Sequence, residues 1–489
     1  MCELRSLQSL ERWRAEMPAL RLKLMNSKLI RLNLALLFAL VFVFSVRADE
    51  VDKLVRAVMQ ERKVPGAAVA VVKNGKVVKK QGYGLANVEL DVPATADTVF
   101  EIGSVTKQMT AAAVMLLVED GKINLDEKIS KYLPDTPEAW KNVSVRNLLT
   151  HTSGIKSYTA IGTGFELSKH LKRAEFIKAL ASYPLDFETG SRYSYSNSGY
   201  NLLGFIIEAA SGKSYWDFMR ERIFRKLGMT ETFDRDPKYI VKNRATGYEL
   251  ENNSYTGRDY DLTDLFSAGA IISTVGDLAK WDAAWRNDTL LKKESKAQAW
   301  KPFVLSDGKP SLYGFGWNVA DFREHKLISH SGSTAGFNAQ ISRFTDDDLS
   351  VIVLTNLGDA GFAGTIARGI AKIYIPSISI KAMKPQSGAD AKLTQMFTNA
   401  LRERMENKFS VEQLTDNLIK SLSTDRAKAG NARIAAFGAV KNLTFVGGET
   451  SESSKIYRYR AETAKRFFLW RFAVNGEGKI SEMTLEDEE

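Results

Sequence analysis

Cysteine is the first absence. The 489-residue chain holds one, Cys2, near its start. Without that residue there is no disulfide, no thiol nucleophile and no cysteine metal site. Histidine is nearly as scarce, with residues only at 151, 170, 325 and 330. These form neither a His-Glu-x-x-His nor a His-x-His cluster, so no metal set is visible and no cofactor is expected. A long apolar run is missing too: Leu34 to Phe44 spans 11 residues, short for a transmembrane helix. Apolar content of 44% and charged content of 26% exclude a disordered or collagen-like chain.

What stands in the first 48 residues is a leader pattern. Lys28 and Arg31 precede the apolar core, and Val46-Arg47-Ala48 places small residues at the −3 and −1 positions. The expectation is a secretory signal peptide over residues 1–48, cleaved after Ala48, with Met25 as an alternative start. The product would be periplasmic or secreted, with no stable membrane span. The leader holds 8 of the 68 Lys and Arg and 3 of the 58 Asp and Glu, which leaves 60 against 55, or +5. So mild a balance, spread along the chain, predicts no nucleic-acid partner.

Apolar periodicity predicts a helix over Val51 to Lys63, then a β-hairpin turning at Asn74-Gly75. An apolar run, Met109 to Val118, reads as a buried helix stopped at Gly121. Tyr193 to Tyr200 reads as a polar loop before a helix over Asn201 to Ala210. Strands are expected at Tyr313 to Val319, Gly336 to Phe344 and Leu349 to Thr355, with a glycine-rich turn from His330 to Gly336. A closing helix spans about Gly361 to Tyr374. Residues 381–390 form a polar linker. Beyond it, two helices and four alternating strands indicate a small α+β accessory domain over 391–489, read as a binding or dimerisation module that would support a homo-oligomer.

Ser104 stands at the start of the buried helix with Lys107 one turn on, on the same face. That pairing sets a hydroxyl beside an ammonium at a helix N-terminus, where developing negative charge is favoured. Ser153-x-x-Lys156 matches the same tetrad, so spacing alone does not decide. A helix N-cap is the bland role for Ser104. His151 reads as a structural turn residue beside a site wall, and His170 as a solvated surface group. The order helix, hairpin, nucleophile helix lacks the strand-borne Gly-x-Ser-x-Gly elbow of α/β-hydrolases.

Three motifs follow one another: Ser104-x-x-Lys107, Tyr195-x-Asn197 and His330-x-Gly332. Around them stand Phe100 to Gly103, Leu148 to Gly154, Ser196 to Tyr200 and Tyr313 to Trp317. Over about residues 50 to 375 the chain resembles the penicillin-recognising serine hydrolases: class C β-lactamases, D-alanyl-D-alanine carboxypeptidases, D-aminopeptidases and related esterases. Ser153 has no downstream partners of its own. The resemblance implies an α+β fold over 50–380, an antiparallel sheet flanked by helices with an inserted helical subdomain. It also implies an exported enzyme forming an acyl-enzyme on an ester, a D-amino-acid peptide or amide, or a lactam.

Ser104 would be the nucleophile. An unperturbed tyrosine has a pKa of about 10, so Tyr195 is a base only if a cation such as Lys107 depresses it. Alternatively Lys107, neutral through desolvation, takes the proton and Tyr195 relays it; the two alternatives stay open. Asn197 would hold Lys107 and the substrate amide. Ser104 and Ser333 would supply the oxyanion-hole N–H groups, and His330 and Gly332 would line the substrate strand. β-Lactamases usually carry lysine where His330 stands, so a peptidase or esterase on a small-molecule or short-peptide substrate is favoured over an efficient β-lactamase. The alternative is a catalytically inactive binding or sensor protein on the same fold.

Overall fold

The computed structural model describes residues 49–160, 172–258, 262–358, 361–388, 390–450 and 454–489. The expected leader and His170 lie outside them. Contacts divide the chain into two compact units. The first runs to Trp317 and takes in His330–Ser342 and Ser350–Ile366; the second comprises Asn318–Ser329, Arg343–Leu349 and Ala367–Glu489.

Among the described residues the largest sheet has seven strands. Their order is Val92–Pro93, Lys76–Asn87, Gly66–Lys73, Leu349–Thr355, Phe337–Phe344, His325–Thr334 and Asn318–Phe322. The hairpin at its start turns through Asn74 (φ 50°) and Gly75 (φ 75°), both left-handed, which suits the right-handed twist of the flanking strands. Gly66–Lys73 and Leu349–Thr355 are buried almost throughout and are nearly all apolar, as strands covered on both faces must be. Residues 49–62 form the first helix described.

Helix Thr106–Glu119 is buried from Thr106 to Leu117, on every face. Its sequence gives it no polar face to turn outward, so it runs through the interior rather than along the surface. It stops at Asp120, and Gly121 (φ 72°) provides the left-handed exit. Helix Asn197–Ser211 packs beside it and begins four residues earlier than expected. The reason is local: Ser196 Oγ accepts from Gly199 N, capping the helix and drawing Asn197 into its first turn. The expected turn at His330 is instead the far half of a strand, His325–Thr334, second from the edge of the sheet. Asn318–Phe322 pairs with it only from His325 to Ser329, so among the described residues His330–Thr334 have no strand partner on that side and form the sheet edge there.

The second unit folds helices Ala391–Met405, Asp416–Leu422 and Asp425–Ala435 onto a four-stranded antiparallel sheet. The strands are Asn442–Thr450, Lys455–Glu462, Phe467–Val474 and Ile480–Glu488. Phe397 and Phe472 stack at 4.2 Å in a core with Tyr459, Trp470 and Leu401.

Candidate active site

Ser104 does not cap the helix it precedes. It lies in a short 3₁₀ turn, Gly103–Val105, and neither that turn nor the helix after it receives a side-chain cap. With the capping role removed, the hydroxyl is free for another one. Lys107, second residue of the α-helix, is fully buried. Its Nζ lies 3.1 Å from Ser104 Oγ, 2.7 Å from Asn197 Oδ1 and 2.8 Å from the carbonyl of Ala268. No carboxylate among the described residues pairs with it. Burial therefore holds its pKa well below the usual lysine range. A neutral amine has two N–H donors and one lone pair. In that form Asn197 and Ala268 would accept the two donors and the lone pair would face the Ser104 hydroxyl, to which the charged amine donates.

The second tetrad behaves otherwise. Ser153 accepts from Ile155 N across a turn, and Lys156 is spent on a surface ion pair with Asp186.

Asn197 is held from two sides. Its amide Nδ2 donates to Thr159 Oγ1 at 3.0 Å, and its backbone N–H donates to Ser157 Oγ at 3.1 Å. The carbonyl end is thereby fixed toward Lys107. Tyr195 precedes the cap residue, and its ring centroid lies 4.8 Å from Lys107 Nζ. Desolvation raises its phenol pKa, and the nearby Ser104 hydroxyl works the other way without offsetting it. The residue as a whole is 36% exposed, and its ring packs against His151, Tyr313 and His330.

Strand His325–Thr334 comes against the 3₁₀ turn at two glycines. A methyl group on Gly332 would sit 1.9 Å from the Ile102 carbonyl oxygen and 3.0 Å from Ser104 N. One on Gly103, whose φ is 50°, would sit 2.8 Å from Ser333 N. Only glycine permits this approach, and it brings the backbone nitrogens of Ser104 and Ser333 to the contact between the two segments. Glu101 and Thr334 tie the same two segments, Thr334 Oγ1 donating to Glu101 Oε2 at 2.6 Å.

His330 turns inward. It is 3% exposed; Nδ1 faces its neighbour's carbonyl, Ser331 O, at 2.6 Å, and Nε2 faces Tyr313 Oη at 2.7 Å. A carbonyl only accepts, so the proton is on Nδ1, and Tyr313 donates to Nε2. Burial, with Lys107 nearby, takes its pKa down to about 3. Both ring nitrogens are thus engaged within the protein. His151 is buried as well, at φ 58°, and its Nδ1 accepts from Ser196 N at 3.1 Å. It packs against Tyr195, Tyr200 and Tyr313 at centroid distances of 4.3, 5.0 and 4.7 Å, bracing the turn that carries Tyr195 and Asn197.

Ser104, Lys107, Tyr195, Asn197, Gly332 and Ser333 are therefore brought together. Sequence reasoning missed Tyr313, Thr159 and the carbonyl of Ala268. Tyr313 was visible only within flanking text, and a backbone carbonyl leaves no signature in residue type. Among the described residues no group of His, Cys, Asp and Glu is arranged to hold a metal ion, and no helix is long and apolar enough to cross a membrane.

With this fold and a serine at its centre, the chain belongs to the beta-lactamase family of penicillin-recognising serine hydrolases, whose family model matches residues 51–374. It is 31% identical over 309 residues to penicillin-binding protein 4* of Bacillus subtilis (strain 168), covering 59% of this chain and 67% of that one. It is 30% identical over 317 residues to protein flp of Staphylococcus aureus (strain COL), covering 63% of each. The chain thus spans about two thirds of these relatives' length. Among solved structures, the octameric penicillin-binding protein homologue from Pyrococcus abyssi matches 90% of this chain and 98% of its own, with TM-score 0.61 and 23% identity. The D-amino acid amidase from Ochrobactrum anthropi SV3, complexed with L-phenylalanine amide, matches 67% of this chain and 98% of its own, with TM-score 0.57 and 25% identity.

Proposed function

We propose that the chain is an exported serine hydrolase that acylates Ser104 with an ester or a D-amino-acid amide or peptide, and that a lactam is at most a slow substrate. The observation that carries this is the buried Lys107 amine, hydrogen-bonded to Ser104 Oγ with no carboxylate among the described residues to keep it charged. Neutral Lys107 takes the Ser104 proton as Oγ attacks the substrate carbonyl. The N–H groups of Ser104 and Ser333 receive the oxyanion. Tyr195, its pKa raised, remains a phenol and relays the proton to the leaving group. Water then attacks the acyl-enzyme by the same route reversed.

His330 supports the peptidase or esterase side. Neutral, and turned toward Tyr313, it offers no cation to a β-lactam carboxylate. The amidase with a similar structure supports an amide substrate. Export rests on the leader pattern, and self-association through the C-terminal unit is proposed alongside it, in line with the octameric homologue. A panel of short acyl esters, D-alanyl peptides and a chromogenic cephalosporin, assayed with wild type and Ser104→Ala, tests the reading. Ester or D-peptide turnover that disappears in Ser104→Ala is expected. Fast cephalosporin turnover would overturn the preference, and no Ser104-dependent turnover would favour the binding protein.

A further inference from the structure

The second unit contains a cation with no carboxylate partner among the described residues. Arg404, on helix Ala391–Met405, lies with its guanidinium over the Trp470 ring, 4.9 Å from the centroid. Its Nε donates to Asn431 Oδ1 at 2.8 Å and its Nη1 to the Met483 carbonyl at 2.6 Å. Both acceptors are neutral. Of the five N–H donors of a guanidinium, three carry no hydrogen bond among the described residues, both of those on Nη2 among them. The side chain lines a cavity of about 420 Å³, within the size range of small-ligand sites.

The rest of the lining is consistent in its chemistry. Leu418, Leu422, Met483 and Leu485 provide an apolar body. Asn417 and Ser421 bring side-chain polar groups that make no hydrogen bond among the described residues. The one lining carboxylate, Glu482, is taken by Arg471 and by Thr484 Oγ1 at 2.8 Å, so it does not serve Arg404. An arginine held by two neutral acceptors and stacked on an indole is a preorganised fork for a planar anion.

We propose that this cavity binds a small organic acid, its carboxylate on the Arg404 fork and its apolar body against the leucines. Desolvation takes the arginine down to about 10, and a bound carboxylate would return it toward its ordinary value. The site is independent of the chemistry at Ser104.

Calorimetric titration of the full chain with hexanoate, 1-hexanol, hexylammonium and inorganic phosphate tests it. Hexanoate is expected to bind at least about tenfold more tightly than the other three, the alcohol lacking the charge and phosphate the apolar body. Arg404→Gln should lose about tenfold or more in hexanoate affinity and keep its catalytic rate. Because Arg404 also holds Met483 and Asn431, a second variant is needed: Ser421→Trp fills the cavity from its exposed rim without removing a core bond. It should abolish hexanoate binding with an unchanged melting temperature, while Ser104→Ala should bind as wild type does. Equal affinity for acid and alcohol, binding lost in Ser104→Ala, or hexanoate binding retained in Ser421→Trp would each overturn the site.

Discussion

Lys107 is an amine enclosed by neutral acceptors, and its protonation state sets what Ser104 can do. Since burial lowers its pKa, the amine loses its proton below the usual lysine pKa of 10.5. On the proposed mechanism the active form is the neutral one, so acylation should rise with pH through that lowered pKa. Lys107→Met should remove this limb and slow acylation about 10²- to 10⁴-fold. A single-turnover pH profile checks it, and a rate that falls as Lys107 deprotonates would contradict it. Tyr313 offers a second test. Tyr313→Phe leaves His330 Nε2 a buried acceptor without a donor, at a cost of about 1–3 kcal/mol. Chemical denaturation should show that loss; an unchanged midpoint would place the donor elsewhere. Ser104 and Lys107 were legible in the sequence because side chains that react must be particular residue types. Ala268, which holds Lys107 as firmly as Asn197 does, was not, because any residue has a carbonyl.

At the scale of elements, the site depends on how closely strand His325–Thr334 approaches a 3₁₀ turn. Gly332→Ala would place a methyl group 1.9 Å from the Ile102 oxygen, so the strand must move away from Ser104 N. Acylation should fall about 100-fold or more, as when one oxyanion donor is lost. Gly121→Ala is the control. Its φ is 72° but nothing lies within 4 Å, so it should cost about 1–2 kcal/mol of stability and leave the rate unchanged. Comparable rates in the two variants would remove the strand's role. The elements themselves were read unevenly, for physical reasons. Leu349–Thr355 is a fully buried apolar strand and announces itself. His330–Thr334 carries small and polar residues with two serines and a glycine, so it reads as a turn until its pairing is known. The start of helix Asn197–Ser211 was hidden because Ser196 and Asn197 look like loop residues unless the cap is recognised.

Over the whole molecule, buried histidines set the response to acid. His330, down to about 3, and His151, well below 6.5, stay neutral in the folded chain while the unfolded chain protonates near 6.5. The unfolded state then binds more protons, so stability must fall as pH drops below about 6.5, by up to about 1.4 kcal/mol per pH unit for each histidine. Urea midpoints from pH 7 to 4 should show this slope, and His330→Gln should reduce it. In the second unit, Asp487 is held below the carboxylate range despite its burial by Lys372, at 2.8 Å, and Arg323, at 2.6 Å. Asp487→Asn leaves Arg323 without this carboxylate and Lys372 with only the more distant Glu489, at 3.9 Å, and should destabilise that unit by about 3 kcal/mol on thermal denaturation. None of these three residues is adjacent in sequence, which is why the network was not legible there. The account turns on Ser104 as nucleophile, and labelling of the intact protein with a fluorophosphonate probe tests that most directly. Wild type should be labelled, with the adduct on the peptide containing Ser104, and Ser104→Ala should stay unlabelled; equal labelling of the two would contradict the account.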